Sequence, residues 1–320
     1  MATITYAVGS SHGPTNRTPP EEWMRLGAGD KNDPRFDFEA HIAKVRSGME
    51  AEVTLEKRRE RGAALLAALA SLRESVAAAK VDVMVVVSNA HRIWPDDSQA
   101  VFGVMRSEAF PVTIPSNEPF NPDDRFKERG SRPKPQTAQK AGHPSLANHL
   151  ISGLIDGGFD IACKDGLREG EAIDEAFGFV YDLLPKGSTT PMVPFMLSRY
   201  LPYQASAARC VALGKALRET IEAWESPLRV GLMASGGLSH QVIDEELDAR
   251  VIAGLTRGDL ADLANLPRDQ LNGAPGTPEI LNWVTVAAAM APTNMKLIDY
   301  VPAFRSLAGT GHGLTYGTWE

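Results

Sequence analysis

The chain has little cysteine: Cys163 and Cys210 are its only two in 320 residues. Two are too few for a disulfide framework, and neither has the paired spacing of a zinc or iron–sulfur site. Thiolate chemistry is therefore not expected, and a reducing cytoplasm is the expected location. A surplus of basic residues is also missing. The net charge is −7 and the pI about 5.6, whereas proteins that hold a phosphate backbone usually gather Lys and Arg into a patch, so nucleic acid is not the expected partner. Long apolar runs are absent as well. The opening MATITYAVGSSHG has no basic segment leading into an apolar one, and no stretch approaches the roughly 18 residues of a membrane span, so no membrane is expected. No internal repeat or low-complexity segment stands out. What is present is a globular composition, 43% hydrophobic, able to fill a substantial core around a site for a small molecule.

Periodicity and breakers give the organisation. Thr3 to Val8 alternates as a short strand and stops at Gly9-Ser10-Ser11-His12-Gly13-Pro14. Residues 56–80, EKRRERGAALLAALASLRESVAAAK, space their apolar side chains as an amphipathic helix. Residues 81–87, VDVMVVV, are almost all apolar and β-branched, as in a parallel strand covered on both faces. Strand, helix, strand is a βαβ signature. Residues 104–142 form a long Pro- and charge-rich loop. Beyond it come a helix opened by His143-Pro144, a strand from Phe159, a helix over 205–223, the strand RVGLMAS at 229–235 and a largely helical stretch from Glu245 to about Met290. The fold class expected is α/β: one catalytic domain over 1–320, with a central mostly parallel or mixed sheet flanked by helices.

Three histidines follow these strands: His12 after TITYAV, His91 after VDVMVVVSNA and His240 after RVGLMASGGLS. In α/β sheets the carboxyl ends of strands line the binding crevice, so these imidazoles can converge. A single histidine at a strand end is more often a capping or surface group. Two imidazoles and a carboxylate together form a facial triad that leaves metal positions open for substrate and O2. Glu279 follows the loop GAPGTP at the expected first turn of a helix, where the dipole favours a carboxylate. Read alone, it is only that first-turn residue.

Several blocks, in order, resemble the class III extradiol ring-cleavage dioxygenases, the family of the protocatechuate 4,5-dioxygenase β subunit and gallate-type dioxygenases. They are Gly9-Ser10-Ser11-His12, Ser88-Asn89-Ala90-His91, the run from His143 to Leu150, Ile173 to Phe179, Ser206 to Cys210, Gly236 to Gln241 and Pro278 to Trp283. The resemblance spans nearly the whole chain. It implies Fe(II) held by His12, His91 and Glu279, with His240 as catalytic acid/base. The implied partners are a small aromatic substrate and O2, and the implied assembly is a homo-oligomer, a dimer or larger.

Two positions depart from the family pattern. An acidic residue usually precedes the second histidine, where this chain has Ala90, and Asp-His usually stands where it has Asp174-Glu175. Glu175 takes the place of a histidine expected to contact substrate, which makes it a candidate catalytic residue toward an atypical ring. A solvated residue at a helix edge is the plain alternative. Tyr181, Tyr200 and Tyr203 are candidate pocket aromatics, and His312 in the Gly-rich tail GTGHGLTYGTWE either covers the site or lies in a loosely held terminus. Arg125, Lys127, Arg129 and Arg132 in the long loop are candidates to attract a carboxylated ring. Two other functions stay open on the same residues: a Zn-dependent hydrolase, since this ligand set also suits zinc, and a non-catalytic relative.

Overall fold

Residues Val83–Asn89 are buried at every position, which a run of Val and Met demands and which a parallel strand at the centre of a sheet provides. A computed structural model describes residues 1–33, 37–89, 91, 100–113 and 136–320. Its strands are β1 (Thr3–Ser10), β2 (Val83–Asn89), β3 (Phe102–Met105), β4 (Ala109–Thr113), β5 (Thr137–Ala141), β6 (Ile161–Lys164), β7 (Met192–Leu197), β8 (Arg229–Ser235), β9 (His240–Val242), β10 (Lys296–Phe304) and β11 (Thr310–Trp319). Nine of them make one mixed sheet in the order β10-β11-β1-β8-β2-β7-β3-β6, with β9 paired to β11. The central strands β1, β8, β2 and β7 are mutually parallel, and β11 and β3 join antiparallel on either side.

Successive side chains of a strand point to opposite faces, and the core divides accordingly. Val83, Val85 and Val87 join one apolar cluster with Leu213 and Leu217 of helix Ala207–Glu222 and with Val284 of helix Ile280–Met290. Met84 and Val86 join the other, with Leu65, Leu69, Leu72 and Val76 of helix Leu55–Ala79. The α/β class and helix-flanked mixed sheet expected from the sequence are present.

Four readings need correction. The β1–helix–β2 crossover does not join neighbours: β8 lies between β1 and β2, parallel to both. The long loop of 104–142 contains an antiparallel ribbon, β4 with β5, paired from Ala109↔Ala141 to Thr113↔Thr137; residues 114–135, with Arg125, Lys127, Arg129 and Arg132, lie outside the described residues. The tail GTGHGLTYGTWE is not loosely held, because it supplies β11, buried at all ten positions between β10 and β1. Helix Leu55–Ala79 is long and apolar enough to cross a membrane by length and composition, contrary to the expectation of no such segment. Its Leu65-Leu69-Leu72-Val76 stripe is covered by the sheet.

Candidate metal centre

Because β1, β8 and β2 run parallel with Ser10 opposite Ser235 and Val87 opposite Ala234, their carboxyl ends finish together. His12 lies just past Ser10, His91 just past Asn89, and the Gly236-Gly237 turn just past Ser235. Glu279 enters from the helical layer as the N-cap of helix Ile280–Met290. Asn282 Nδ2 donates to Asn89 Oδ1 at 2.9 Å and to the Ser235 carbonyl at 2.8 Å, and Trp283 Nε1 donates to the Gly236 carbonyl at 3.0 Å. These bonds fasten the start of the helix to the ends of β2 and β8, so the carboxylate is fixed where the strands stop.

Glu279 is 1% exposed, and its Oε2 accepts from the Gly237 N–H at 3.1 Å. Gly236 makes the approach possible. Its φ of +141° suits glycine, and a Cβ there would stand 2.6 Å from Oε2. His12 Nδ1 bonds Ser235 Oγ at 3.0 Å, which leaves Nε2 to face Glu279 Oε1 at 3.9 Å. His91 has Nδ1 3.7 Å from Glu175 Oε1 and Nε2 3.3 Å from Glu279 Oε1. One donor atom from each of His12, His91 and Glu279 lies within 4.8 Å of the others. Donors at right angles on one ion with bonds of about 2.1 Å stand about 3 Å apart, so the three residues fit a single divalent cation.

The electrostatics differ across the cluster. Burial lowers the His12 pKa to about 4 against the opposing pull of Glu279, so its ring is neutral and has a lone pair to give. Burial and Arg199 also press on His91, but the carboxylates of Glu175 and Glu279 outweigh them and raise it to about 10. A bound cation competes with that proton. Burial alone would raise Glu279; the imidazoles of His240 and His12 and the bonds from His240 and His91 hold it well below the usual carboxylate range.

His240 opens β9, opposite His312 of β11. Its Nδ1 donates to the Leu238 carbonyl at 2.9 Å, which leaves Nε2 as the basic nitrogen, 3.3 Å from Glu279 Oε2. Gly276 lies against the ring: a Cβ there would be 2.1 Å from Cδ2. The turn before His240 is pinned by buried Asp248, which accepts from Ser239 N at 2.7 Å, Ser239 Oγ at 2.8 Å and Tyr300 Oη at 2.7 Å. Burial pushes Asp248 up to about 7 in spite of these donors. His312 stacks on His240 with centroids 5.2 Å apart, and its Nδ1 lies 3.1 Å from Thr15 Oγ1.

The structure thus brings together four of the five residues singled out from sequence and sets the fifth behind them. Glu175 begins the short helix Glu175–Gly178, and its contact is with His91. Its side chain is 41% exposed; the protein packed around the rest of it opposes ionisation, but the neighbouring His91, 3.7 Å away, holds its carboxyl below the usual range. His143 caps its helix through Leu146 N, and His149 Nε2 bonds the Thr220 carbonyl, so both have local roles beside Trp224. Tyr181 has a buried hydroxyl, whereas Tyr200 and Tyr203 are exposed. Ala90 lies outside the described residues. The sequence reading missed Arg199, whose Nη1 is 3.7 Å from Glu279 Oε1. The available signal was a polar Ser198-Arg199 immediately after the apolar run of β7.

Two imidazoles and a carboxylate converging where parallel strands end define an α/β protein with a candidate mononuclear metal centre. The chain belongs to the family of the catalytic LigB subunit of aromatic ring-opening dioxygenase, which matches residues 49–314. It is similar to a gallate dioxygenase of Pseudomonas putida, 29% identical over 185 residues, covering 52% of this chain and 52% of that protein. A 2,3-dihydroxyphenylpropionate/2,3-dihydroxicinnamic acid 1,2-dioxygenase of Comamonas testosteroni is 35% identical over 97 residues, 30% of this chain and 29% of that one. The matched region thus spans about half the length of the first relative and less of the second. Among solved structures, the uncharacterized protein JW3007 from Escherichia coli K12 shares the fold, with a TM-score of 0.50, 15% identity and coverage of 98% of this chain and 99% of that one.

Proposed function

We propose that the chain is an Fe(II)-dependent, extradiol-type dioxygenase that opens the ring of a small phenolic substrate with O2. His12, His91 and Glu279 are the iron ligands, and His240 is the acid/base. The observation that carries this reading is the convergence of His12 Nε2, His91 Nε2 and Glu279 Oε1, with the basic His240 Nε2 beside the same carboxylate. Bound Fe(II) supplies open coordination positions for substrate and O2 and the electrons that activate the oxygen.

The protein's own groups do the rest. The Ser235 hydroxyl holds the His12 ring with Nε2 inward, and the Glu175 carboxylate faces His91 Nδ1 and favours the same arrangement there. The Leu238 carbonyl fixes the tautomer of His240, whose Nε2 removes a proton from a substrate hydroxyl and returns it as the ring opens. Asp248, through Ser239, keeps that ring in reach. The structure favours Glu175 as a residue that positions His91, a different role from the substrate contact suggested by its place in the sequence. Zinc also suits the donor set, but membership of a ring-opening dioxygenase family favours oxygen chemistry over hydrolysis. The proposal extends to a cytoplasmic homo-oligomer.

The test is metal analysis of anaerobically purified protein joined to O2 uptake with a panel of mono- and dihydroxylated aromatics. Iron binding and substrate-dependent uptake are expected. Preferential zinc binding, with no uptake on any ring, defeats the reading.

A further inference from the structure

His312 lies directly opposite His240 where β11 pairs with β9, and the two buried rings stack with their planes at 25°. A polar ring at a buried strand position is costly unless its nitrogens are hydrogen-bonded. Nδ1 of His312 faces Thr15 Oγ1 at 3.1 Å and Arg305 Nη1 at 3.5 Å. A guanidinium only donates, so Nδ1 is the acceptor and the ring proton sits on Nε2. That is the opposite tautomer to His240, whose Nδ1 donates to the Leu238 carbonyl.

Arg305 is clamped in turn. Its Nε and Nη2 each donate to the Asp30 carboxylate at 2.8 Å, with the two side chains 4% and 0% exposed. Asp33, three residues on, accepts from Nε2 of Gln241 at 3.0 Å, and Gln241 adjoins His240. The short turn at Asp30–Asn32 and the residue after it therefore grip both members of the stack, one through Arg305 and one through Gln241. Apolar residues of the same volume often serve stability as well as a buried ion pair does. What this pair adds is a fixed direction for the His312 ring. His240 has need of a fixed neighbour, because its bond to Leu238 holds one corner of the imidazole and not its tilt.

From this geometry we infer that His312 is a positioning residue: its ring, aimed by Arg305 and Thr15, is the wall that sets the plane of His240 and so the direction of the basic Nε2. The inference rests on His240 as the acid/base of the proposed reaction but not on oxygen chemistry.

Two replacements separate the ring from its hydrogen bonds. His312→Phe keeps a flat ring and loses the acceptor, whereas His312→Asn keeps an acceptor for Thr15 and Arg305 and loses the ring. The first reading is solvent exchange of the His240 Nδ1 proton in metal-free, full-length protein labelled with ¹⁵N-histidine, its signal identified by its absence from His240→Gln. This proton should stay protected in wild type and His312→Phe and exchange about tenfold faster or more in His312→Asn. Thr15→Val, which alters neither ring, should speed the exchange by a smaller factor, about two- to fivefold. The second reading is O2 uptake by iron-loaded protein with gallate and with catechol. In His312→Asn, kcat should fall about ten- to a hundredfold with KM near that of wild type, and His312→Phe should recover most of the loss.

A His312 that only fills the core predicts the reverse order, with Phe, which strips the hydrogen bonds, the more damaging change. That order, or unchanged exchange in both His312→Asn and Thr15→Val, overturns the assignment. If wild type takes up no O2 with either ring while the exchange order holds, the dioxygenase reading fails and the assignment of His312 stands.

Discussion

Gly276→Ala separates the base from the metal. Gly276 has φ −94° and ψ −23°, a conformation open to any residue, so an added methyl brings no backbone strain. Its whole effect is contact: the Cβ would stand 2.1 Å from Cδ2 and 2.2 Å from Nε2 of His240. Carbon contacts settle at roughly 3.5 Å or more, so the ring must retreat by about 1.4 Å. A displacement near 1 Å at a reacting group costs about 10²-fold in rate, and the overpacking costs about 1–3 kcal/mol of stability. His240 is not among the converging metal donors, so metal content should stay close to wild type. Gly236→Ala is the contrasting variant, because its Cβ meets Glu279 Oε2 at 2.6 Å with φ at +141° and should lower metal content itself. Initial O2-uptake rates, metal analysis and a thermal melt on both proteins read out the three effects. Wild-type turnover in Gly276→Ala would refute the role given to the His240 ring, and equal metal loss in the two variants would refute the division between base and metal.

Glu175→Gln keeps the side chain's size and removes the charge facing His91, so iron affinity should change and turnover should fall with it, about ten- to a hundredfold; unchanged iron affinity and unchanged kinetics across several phenols would remove Glu175 from the site. Asp248 gives a pH signature in stability. Its carboxyl is raised from 3.8 to about 7 in the folded chain, so the folded form keeps a proton that the unfolded chain has released. This group's cost is absent below about pH 4, grows as pH rises to about 7 and is constant above, on the order of 4 kcal/mol in all. Urea melts of wild type and Asp248→Asn across that window should differ in slope, and parallel curves would contradict it. Leu72→Ala, in the fully buried stripe of helix Leu55–Ala79, should cost about 2–5 kcal/mol and leave metal binding per folded molecule unchanged, both measurable by denaturation and metal titration.

The parts of this fold that were legible in sequence are those with one dominant period. VDVMVVV and RVGLMAS are nearly uninterrupted apolar runs, and β8 occupies the residues read for it, Arg229–Ser235. β7 was hidden because Pro194 sits in its middle, where proline ordinarily argues against a paired central strand. β11 was hidden by Gly311, Gly313 and Gly317, which read as a loose tail. Gly311 and Gly313 are needed there because a Cβ on either would press on the Ala303 carbonyl or on Asp248. The histidines were legible because strand ends can be found from local pattern. The partner that orients His12 was not: Ser235 lies 223 positions from it, and Glu279, 188 positions from His91, was named with the histidines only through the family resemblance. No local period links such residues, and only the register of β1, β8 and β2 brings them together. Glu175 was legible as a departure, but its contact with His91 depends on where a four-residue helix falls.

The most direct test of the central claim is the fate of labelled oxygen. Protein reconstituted anaerobically with Fe(II) is given a hydroxylated aromatic acid under ¹⁸O2, and the product is analysed by mass spectrometry. Ring opening by the site proposed here places both labelled atoms in an open-chain product, and Glu279→Ala abolishes the reaction together with iron binding. A substrate recovered with its ring intact, or a product carrying oxygen only from water, contradicts the account.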